Sequence, residues 1–448
     1  MIDDAVSGVA DWVVVGAGSA GCVVTRRLLD AGRSVVLVEA GPTLPDPLPI
    51  SVTGDDAFAL HGDPRRVDVE VTARRTRDAP TRGYLRGRGL GGSSVVNAML
   101  ALECDPALPA SWGWSRWSDA AGRVELPLTE ADPAEFGVAD RALLAADPFA
   151  HPTRLTRRDG RRVTSAEAYL GPVLSSASLT IRTDAPVDAI EVREGSAVGV
   201  RMPDGHVVEA DRVALCAGAI GTPALLQRSA IGGEAVGTGL QDHPSVAVTV
   251  ELADPTPPIG LATSVVSTRD PWQILPVNHL GHDSDGRHAV VMVALMRPVG
   301  RSGTVRVSAH GGAPLVDLDL LADPADRRMM MAGIDHLLSV VRSEPFREIS
   351  SGIYLDDQGT PADRLVGADA DAIESWMLAH VGDYVHASSS TAAVLGAAGA
   401  VAGVAGLFVA DASAFPTIPD VNTHLPTTVL AELFVDRWLD ERSAVPGP

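Results

Sequence analysis

The sequence predicts an α/β fold with a parallel sheet near its start and an antiparallel sheet further on. Three observations carry this. A short β-branched run, a glycine-rich turn, a helical pattern and a second apolar run follow one another within residues 12–39, the order of a parallel strand–helix–strand crossover. Period-two alternation returns from Leu179, with Pro203-Asp204-Gly205 as a turn between two of its runs. The chain has 448 residues, 46% hydrophobic and 21% charged, enough for one large core or two interleaved ones and incompatible with wholesale disorder.

The elements follow in order. Trp12–Val15 is the first strand, Ala20–Ala31 a helix stopped by Gly32, and Ser34–Glu39 the second strand. Residues 42–85, rich in Pro, Gly and charge, read as irregular connection, and a second glycine-rich loop spans Gly87–Ser94. Residues 105–160 show weak periodicity around tryptophans 112, 114 and 117. Leu179–Thr183, Val187–Arg193, Ala197–Met202 and Val207–Ala210 alternate as sheet residues do, and Val213–Cys216 reads as a buried strand. Thr222-Pro223 opens a helix, with Pro in its first turn. Ala289–Met296 and Thr304–Ser308 are further strands. Asp323 caps a helix from Pro324 to about Arg342, and Pro426–Leu439 is the last helix.

Composition excludes several classes of function. The 57 acidic residues outnumber 36 basic ones, all arginine, for a net charge of −21; such a chain is a poor match for nucleic acid or an anionic membrane. Cys22, Cys104 and Cys216 are scattered and odd in number. They support neither a disulfide framework nor a metal site, and they point to a reducing, cytoplasmic setting. Residues 1–12 are too acidic and polar for a secretory leader. Thr391–Ala410 carries no charge and is long enough for a bilayer, but its alanines and the glycines at 396, 399, 403 and 406 give little hydrophobic drive, so no membrane span is expected.

Gly16-Ala17-Gly18-Ser19-Ala20-Gly21 lies between strand and helix. Gly16 permits the tight turn, Gly18 lets backbone approach a pyrophosphate, Gly21 lets helix and strand pack closely, and the helix N-terminus supplies N–H donors. Glu39 closes the next strand, where a carboxylate takes ribose hydroxyls and disfavours a ribose phosphate. NAD or FAD is the expected ligand.

The second loop, Gly87-Arg88-Gly89-Leu90-Gly91-Gly92-Ser93-Ser94-Val95-Val96-Asn97, resembles the first signature of the glucose–methanol–choline oxidoreductases, which use FAD. Paired glycines and small hydroxyls let backbone lie against a flat ring, and the Asn amide suits its edge. Cys104 stands where the family pattern has Pro, Ala or Gly. Gly218–Gly232 resembles the second signature, with Ala230 for Gly, and Gly237–Pro244 resembles the family's LQDHP segment, whose His243 reads as structural. Val409–Ser413, Pro416–Pro419 and Asn422–Thr427 resemble the closing segment in order and spacing. Tyr384–Ser388 falls where the family has its His-Pro catalytic segment, with Ala387 for Pro and Thr391 for a common Cys. Gly160–Leu170, and Arg297-Pro298 with Gly303–Val305, match smaller landmarks, whereas residues 42–80 and 105–155 match poorly.

The resemblance implies a Rossmann-type FAD-binding domain from residues 1–105, 180–250 and 395–448, with an inserted α+β substrate-binding domain from 106–179 and 251–394 that contains an antiparallel sheet. FAD would meet Gly16, Gly18, Ser19, Ala20, Gly21, Glu39 and Ala40, then Gly87, Gly91, Gly92, Ser93, Asn97, Ala98, Met99 and Leu100. Val187, Ala217, Gly218, Asp411, Ala412, Asn422 and Thr423 complete the set. Val96 occupies the place of the histidine that tethers the flavin in some members, so binding should be non-covalent. His386 would take the proton of an alcohol, whose hydride passes to flavin N5, and His424 would hold the substrate oxygen. The substrate is a small or peptide-derived alcohol, the latter as in the mycofactocin-associated members that the short chain suggests. Electrons would pass to a redox partner or quinone-like acceptor rather than oxygen. An oxygen-using alcohol oxidase, a hydroxynitrile-lyase-like enzyme, a flavin-binding protein without turnover and an NAD-linked dehydrogenase are the alternatives. His61, His151, His206, His279, His282, His288, His310 and His336 read as surface or structural, and His380 ranks below His386 because only His386 falls in the motif.

Overall fold

The computed structural model describes residues 9–443 apart from 46–47, 55–58, 258–259, 281–282, 309–311 and 357; His282 and His310 lie outside the described residues, as do residues 1–8 of the N-terminal segment. Ala10–Val15 (β1) leads through the glycine turn into Ser19–Asp30 (α1) and on to Val35–Val38 (β2), parallel to β1 with Val13 opposite Val36. The valine runs suit strands covered on both faces. A Cβ on Gly21 would sit 1.8 Å from the Gly16 carbonyl oxygen, so only glycine lets α1 start this close to β1.

Leu179–Arg182 (β3) pairs in parallel with β2. Ala189–Arg193 (β4), Ser196–Arg201 (β5) and Val207–Leu215 (β6) form an antiparallel meander whose last strand lies parallel to β1, Val13 opposite Val213. The sequence suggests two strands over 207–216; the structure has one. Its first half alternates beside β5 and its second half is buried in the parallel sheet, with the Arg212 guanidinium over the Trp12 ring at 5.5 Å. Gly218–Arg228 (α2) begins one turn before the expected Thr222. Pro223 therefore lies inside it and has no N–H for the Ala219 carbonyl, which accepts from Ser390 Oγ instead (2.5 Å).

Ser245–Leu252 (β7), Val265–Arg269 (β8), Trp272–Val277 (β9) and His288–Leu295 (β10) build the antiparallel sheet, with Ser350–Tyr354 (β11) beside β7 and residues 150–152 beside β8. Pro324–Val341 (α3) covers it, capped by Asp323 as the sequence predicts. Residues 42–85 are less irregular than expected: Thr72–Arg74 and Arg82–Gly83 pair with each other, and the former with Leu315–Asp317.

Thr391–Ala410 holds two 3₁₀ turns and Leu407–Val409 (β12), which joins the parallel sheet beside β6. Among the described residues no helix is long and apolar enough to cross a membrane. His424–Ser443 (α4) packs on α1, and Trp438 stacks on Trp12 at 5.3 Å. The three tryptophans at 112, 114 and 117 pack in this first core, against Phe415 and Phe434; a second core lies under the antiparallel sheet.

Candidate active site

The chain turns to opposite sides of β1 to reach β2 and β6, and crevices at such a switch point receive ligands. A cavity of about 670 Å³ opens there, running from Gly16, Glu39 and Ala40 at one end to Tyr384 and His386 at the other. Gly18 caps α1 without a side-chain acceptor, so the first-turn N–H groups are available to an anion. Gly92 (φ +51°) lies so near that a Cβ on it would be 2.7 Å from Gly18 Cα; the two glycine loops touch.

Glu39 joins them. Its Oε2 accepts from Ala17 N (2.8 Å), and its Oε1 from Gly41 N (2.9 Å) and Gly89 N (3.0 Å). A carboxylate has about four acceptor positions, so one on Oε2 is left for a ribose hydroxyl. Asp411 keeps none: Oδ2 accepts from Gly218 N (2.9 Å) and Thr222 Oγ1 (2.5 Å), and Oδ1 from Ser413 N (2.9 Å) and Ser413 Oγ (2.6 Å). It fixes the cavity wall by holding two loops together. Asn97 Oδ1 accepts from Met99 N (3.1 Å) and Arg162 (2.7 Å), which leaves the donor side of its amide for the cavity it lines.

All but three of the expected cofactor residues line the cavity. Gly21 packs against Gly16 as above. Gly91 N–H donates to the Ala17 carbonyl (2.8 Å). Met99 is buried in the second core with φ +64°. These three lie behind the cavity lining and shape the cradle. His61, read as surface or structural, lines the cavity with Nε2 3.0 Å from the Val96 carbonyl oxygen. His336 pairs with Asp147 (3.0 Å), and His380 is exposed.

The reactive end is organised by Asp242, buried within the LQDHP segment. Its Oδ1 accepts backbone N–H groups of His243 (2.7 Å), His386 (2.9 Å) and Tyr384 (3.3 Å), and its Oδ2 accepts from Tyr84 Oη (2.5 Å). Burial pushes this carboxyl up to about 7. His386 Nδ1 lies 2.9 Å from His243 Nδ1, and His243 Nε2 lies 2.9 Å from the Pro419 carbonyl oxygen. Burial holds His386 well below its ordinary pKa, with the Arg86 guanidinium acting in the same direction. Burial lowers His243 to about 3. Both imidazoles are neutral near pH 7.

His386 and His424, expected as a pair, both line the cavity. His424 opens α4 and its Nδ1 lies 2.9 Å from Ser19 Oγ in the first glycine loop; burial lowers it to about 4. Asn422 lines the same cavity as Tyr384, whose Oη donates to Gln273 Oε1 (2.9 Å) and whose ring centroid is 4.6 Å from that of His386. Asn422 Oδ1 and His424 Nε2 are both buried without a hydrogen-bond partner among the described residues. Leu275, Val277 and Met292 from β9 and β10, with Ala98, Leu100 and Ala262, give the adjoining wall an apolar surface.

A dinucleotide cradle continuous with a buried neutral imidazole defines a flavin- or nicotinamide-dependent oxidoreductase. The choice between the two is made by similarity to known proteins. Models of the GMC oxidoreductase family match residues 150–245 and 298–431. The oxygen-dependent choline dehydrogenase of Paraburkholderia xenovorans is 27% identical over 540 positions, covering 95% of this chain and 94% of its own. The 5-(hydroxymethyl)furfural oxidase of Methylovorus sp. is 27% identical, with 96% and 99% covered. The pyridoxine 4-oxidase of Microbacterium luteolum is 34% identical over half of this chain. Among solved structures, pyridoxine 4-oxidase from Mesorbium loti superposes with a TM-score of 0.83 at 22% identity, covering 96% of this chain and 99% of that one. A formate oxidase variant from Aspergillus oryzae superposes with 0.85 at 19%, covering 98% and 99%. The chain belongs to the GMC oxidoreductase family, and it is an FAD-dependent oxidoreductase acting on alcohol-type donors.

Proposed function

We propose that the chain dehydrogenates a small alcohol with an apolar body, using non-covalently held FAD, and passes the electrons to an acceptor other than oxygen, in the cytoplasm. The observation that carries this is one cavity joining the glycine-loop cradle to His386. FAD, when bound, supplies the hydride acceptor. His386, neutral and desolvated, takes the hydroxyl proton as the carbinol hydride leaves. A positioned base of this kind is worth about 10²–10⁴-fold. Asn422, beside Tyr384 and with an unpartnered oxygen, holds the substrate hydroxyl; His424 serves the first glycine loop through Ser19. The apolar wall favours an uncharged substrate, a small molecule or a peptide-derived carrier.

The choice of acceptor is supported by length. Alignment with the choline dehydrogenase runs to 540 positions against 448 residues here, so the relative carries insertions that this chain lacks. Lids need such length to cover a site, and a less covered site admits a bulky quinone-like acceptor or a redox partner. Val96 offers no nucleophile to the flavin, and all three cysteines are free and buried, as a reducing compartment allows.

The test is anaerobic. Purified protein should be yellow, should release all its flavin on acid precipitation, and should bleach with at least one apolar alcohol. His386→Ala should keep FAD and bleach about 10²–10⁴-fold more slowly; bleaching at the normal rate would overturn the assignment of the base. In stopped flow the reduced protein should reoxidise faster with a quinone or dye than with air-saturated buffer, and the reverse order would make it an oxidase.

A further inference from the structure

We propose that His243 is a positioning residue that fixes the ring tautomer of His386, placing the proton on Nδ1 and the basic lone pair on Nε2. The Pro419 carbonyl oxygen, which only accepts hydrogen bonds, lies 2.9 Å from His243 Nε2; His243 therefore carries its proton on Nε2. His243 is fully buried, at 0% exposure, among groups that offer its ring no carboxylate: its backbone N–H goes to Asp242, and the ring faces His386, Tyr384 and the backbone of Pro419 and Met296. It stays neutral there, and a neutral imidazole protonated on Nε2 has a lone pair on Nδ1. That lone pair lies 2.9 Å from His386 Nδ1. Two lone pairs at this distance repel, so the proton of the bond belongs to His386. With Nδ1–H donating to His243, His386 Nε2 is left as the acceptor.

The backbone supports the same register. Asp242 holds the N–H groups of both residues, at 2.7 Å for His243 and 2.9 Å for His386, so the two rings meet at fixed spacing with their planes at 89°. The device resembles the carboxylate that orients the base in hydrolytic triads, with a neutral imidazole and a carbonyl in place of the anion. When Nε2 takes the substrate proton, the resulting imidazolium keeps its Nδ1–H donation to His243, so no hydrogen bond has to reorganise as charge develops.

Two substitutions separate this role from packing. In His243→Asn the amide Oδ1 stands where Nδ1 stood and accepts from His386, while the bond to Pro419 is lost. In His243→Gln the amide nitrogen stands where Nε2 stood and keeps the bond to Pro419, but nothing accepts from His386. With FAD content measured for both, flavin reduction should stay within a few-fold of wild type in His243→Asn and fall at least tenfold in His243→Gln. The opposite order would show that the tie to Pro419, a structural role, is what matters. The role of His386 as base rests on the function proposed above, so a second readout is independent of turnover. In holoenzyme labelled with ¹⁵N-histidine, the ring signals that disappear in His386→Ala should show a protonated Nδ1 and an unprotonated Nε2, and in His243→Gln this pattern should be lost. A protonated Nε2 on His386 in the wild type would overturn the inference even if every alcohol reduced the flavin. If no alcohol reduces the flavin and the ¹⁵N pattern is as stated, the tautomer stands and the catalytic reading falls.

Discussion

At the scale of single residues the site divides into groups that hold loops and groups that face a ligand, and mutations should tell them apart. His424→Ala removes the partner of Ser19 in the first glycine loop, so its main effect should be on FAD retention, with reduction of the loaded enzyme slowed only a few-fold. Asn422→Ala should do the reverse, retaining FAD and losing at least tenfold in the reductive rate. Equilibrium dialysis with FAD and anaerobic stopped flow measure the two separately. Choline should be a poor substrate, although choline dehydrogenases are among the relatives. Quaternary ammonium groups are recognised by several aromatic faces, and Tyr384 is the single aromatic ring, histidines apart, lining the cavity among the described residues. A panel of alcohols at matched concentration checks this, and rapid bleaching by choline would contradict it. Much of the site is legible because its glycines sit at motif spacing. Asp242 and His243 lie within a segment that stands out in the sequence, but their task is invisible there: the atoms they touch belong to residues 84, 384, 386 and 419, and no local pattern predicts which rings meet.

Among the elements, the contact of α1 with α4 is a buried ion pair. Arg27 Nε and Nη2 donate to Glu432 Oε2 and Oε1, each at 2.8 Å, Tyr169 Oη adds a third bond to Oε1 (3.1 Å), and Glu432 is 0% exposed. Removing Arg27 leaves the buried Glu432 with Arg123 at 3.8 Å and also takes the cation from Glu125 (2.6 Å); losing a partner from a buried pair costs up to about 3–5 kcal/mol. Arg27→Met should therefore lower the midpoint of urea unfolding markedly, and Arg27→Met with Glu432→Leu should recover much of the loss. The strand–helix–strand unit and the capped α3 are readable from composition because valine runs, Gly and Asp-Pro act locally. The continuity of β6 is not, because Asp211 and Arg212 break its apolar run and the arginine is accommodated by the Trp12 and Phe408 rings from distant segments. The small pairings of residues 72–83 are equally hidden, since they depend on Leu315–Asp317 from the far side of the chain.

For the molecule as a whole, buried histidines and carboxyls set the response to acid. His243 and His424, near 3 and 4 in the folded protein, have ordinary values close to 6.5 when unfolded. As the pH falls through about 6.5, the unfolded chain takes up protons that the folded one refuses, so stability is lost progressively down to about pH 4. Asp242, raised to about 7, has the opposite sign: the folded form keeps a proton that the unfolded form releases, a contribution present below about pH 4 and lost as the pH rises through 7. Asp140, Asp326, Asp411, Asp420 and Glu432 are raised by burial as well and act with Asp242, so the net slope is a balance of buried histidines against buried carboxyls. The part due to His424 has a definite sign: on going from pH 7 to pH 5 at saturating FAD, the urea midpoint of His424→Asn should change less unfavourably than that of the wild type.

Ser19 meets His424, and Arg27 meets Glu432, across 405 residues of chain in each case. A ribosome makes the glycine loop some 405 residues before α4. Throughout synthesis the nascent cradle therefore has both of its loops but neither the strand that completes the sheet beside β6 nor the helix that closes over α1. Contacts this distant form late and slowly, and a half-made flavoprotein has to be kept from aggregating until α4 has emerged. A nascent chain stalled before Leu407 should take up no FAD even with both glycine loops outside the tunnel, whereas one extended past residue 443 by a linker should become fluorescent with bound flavin.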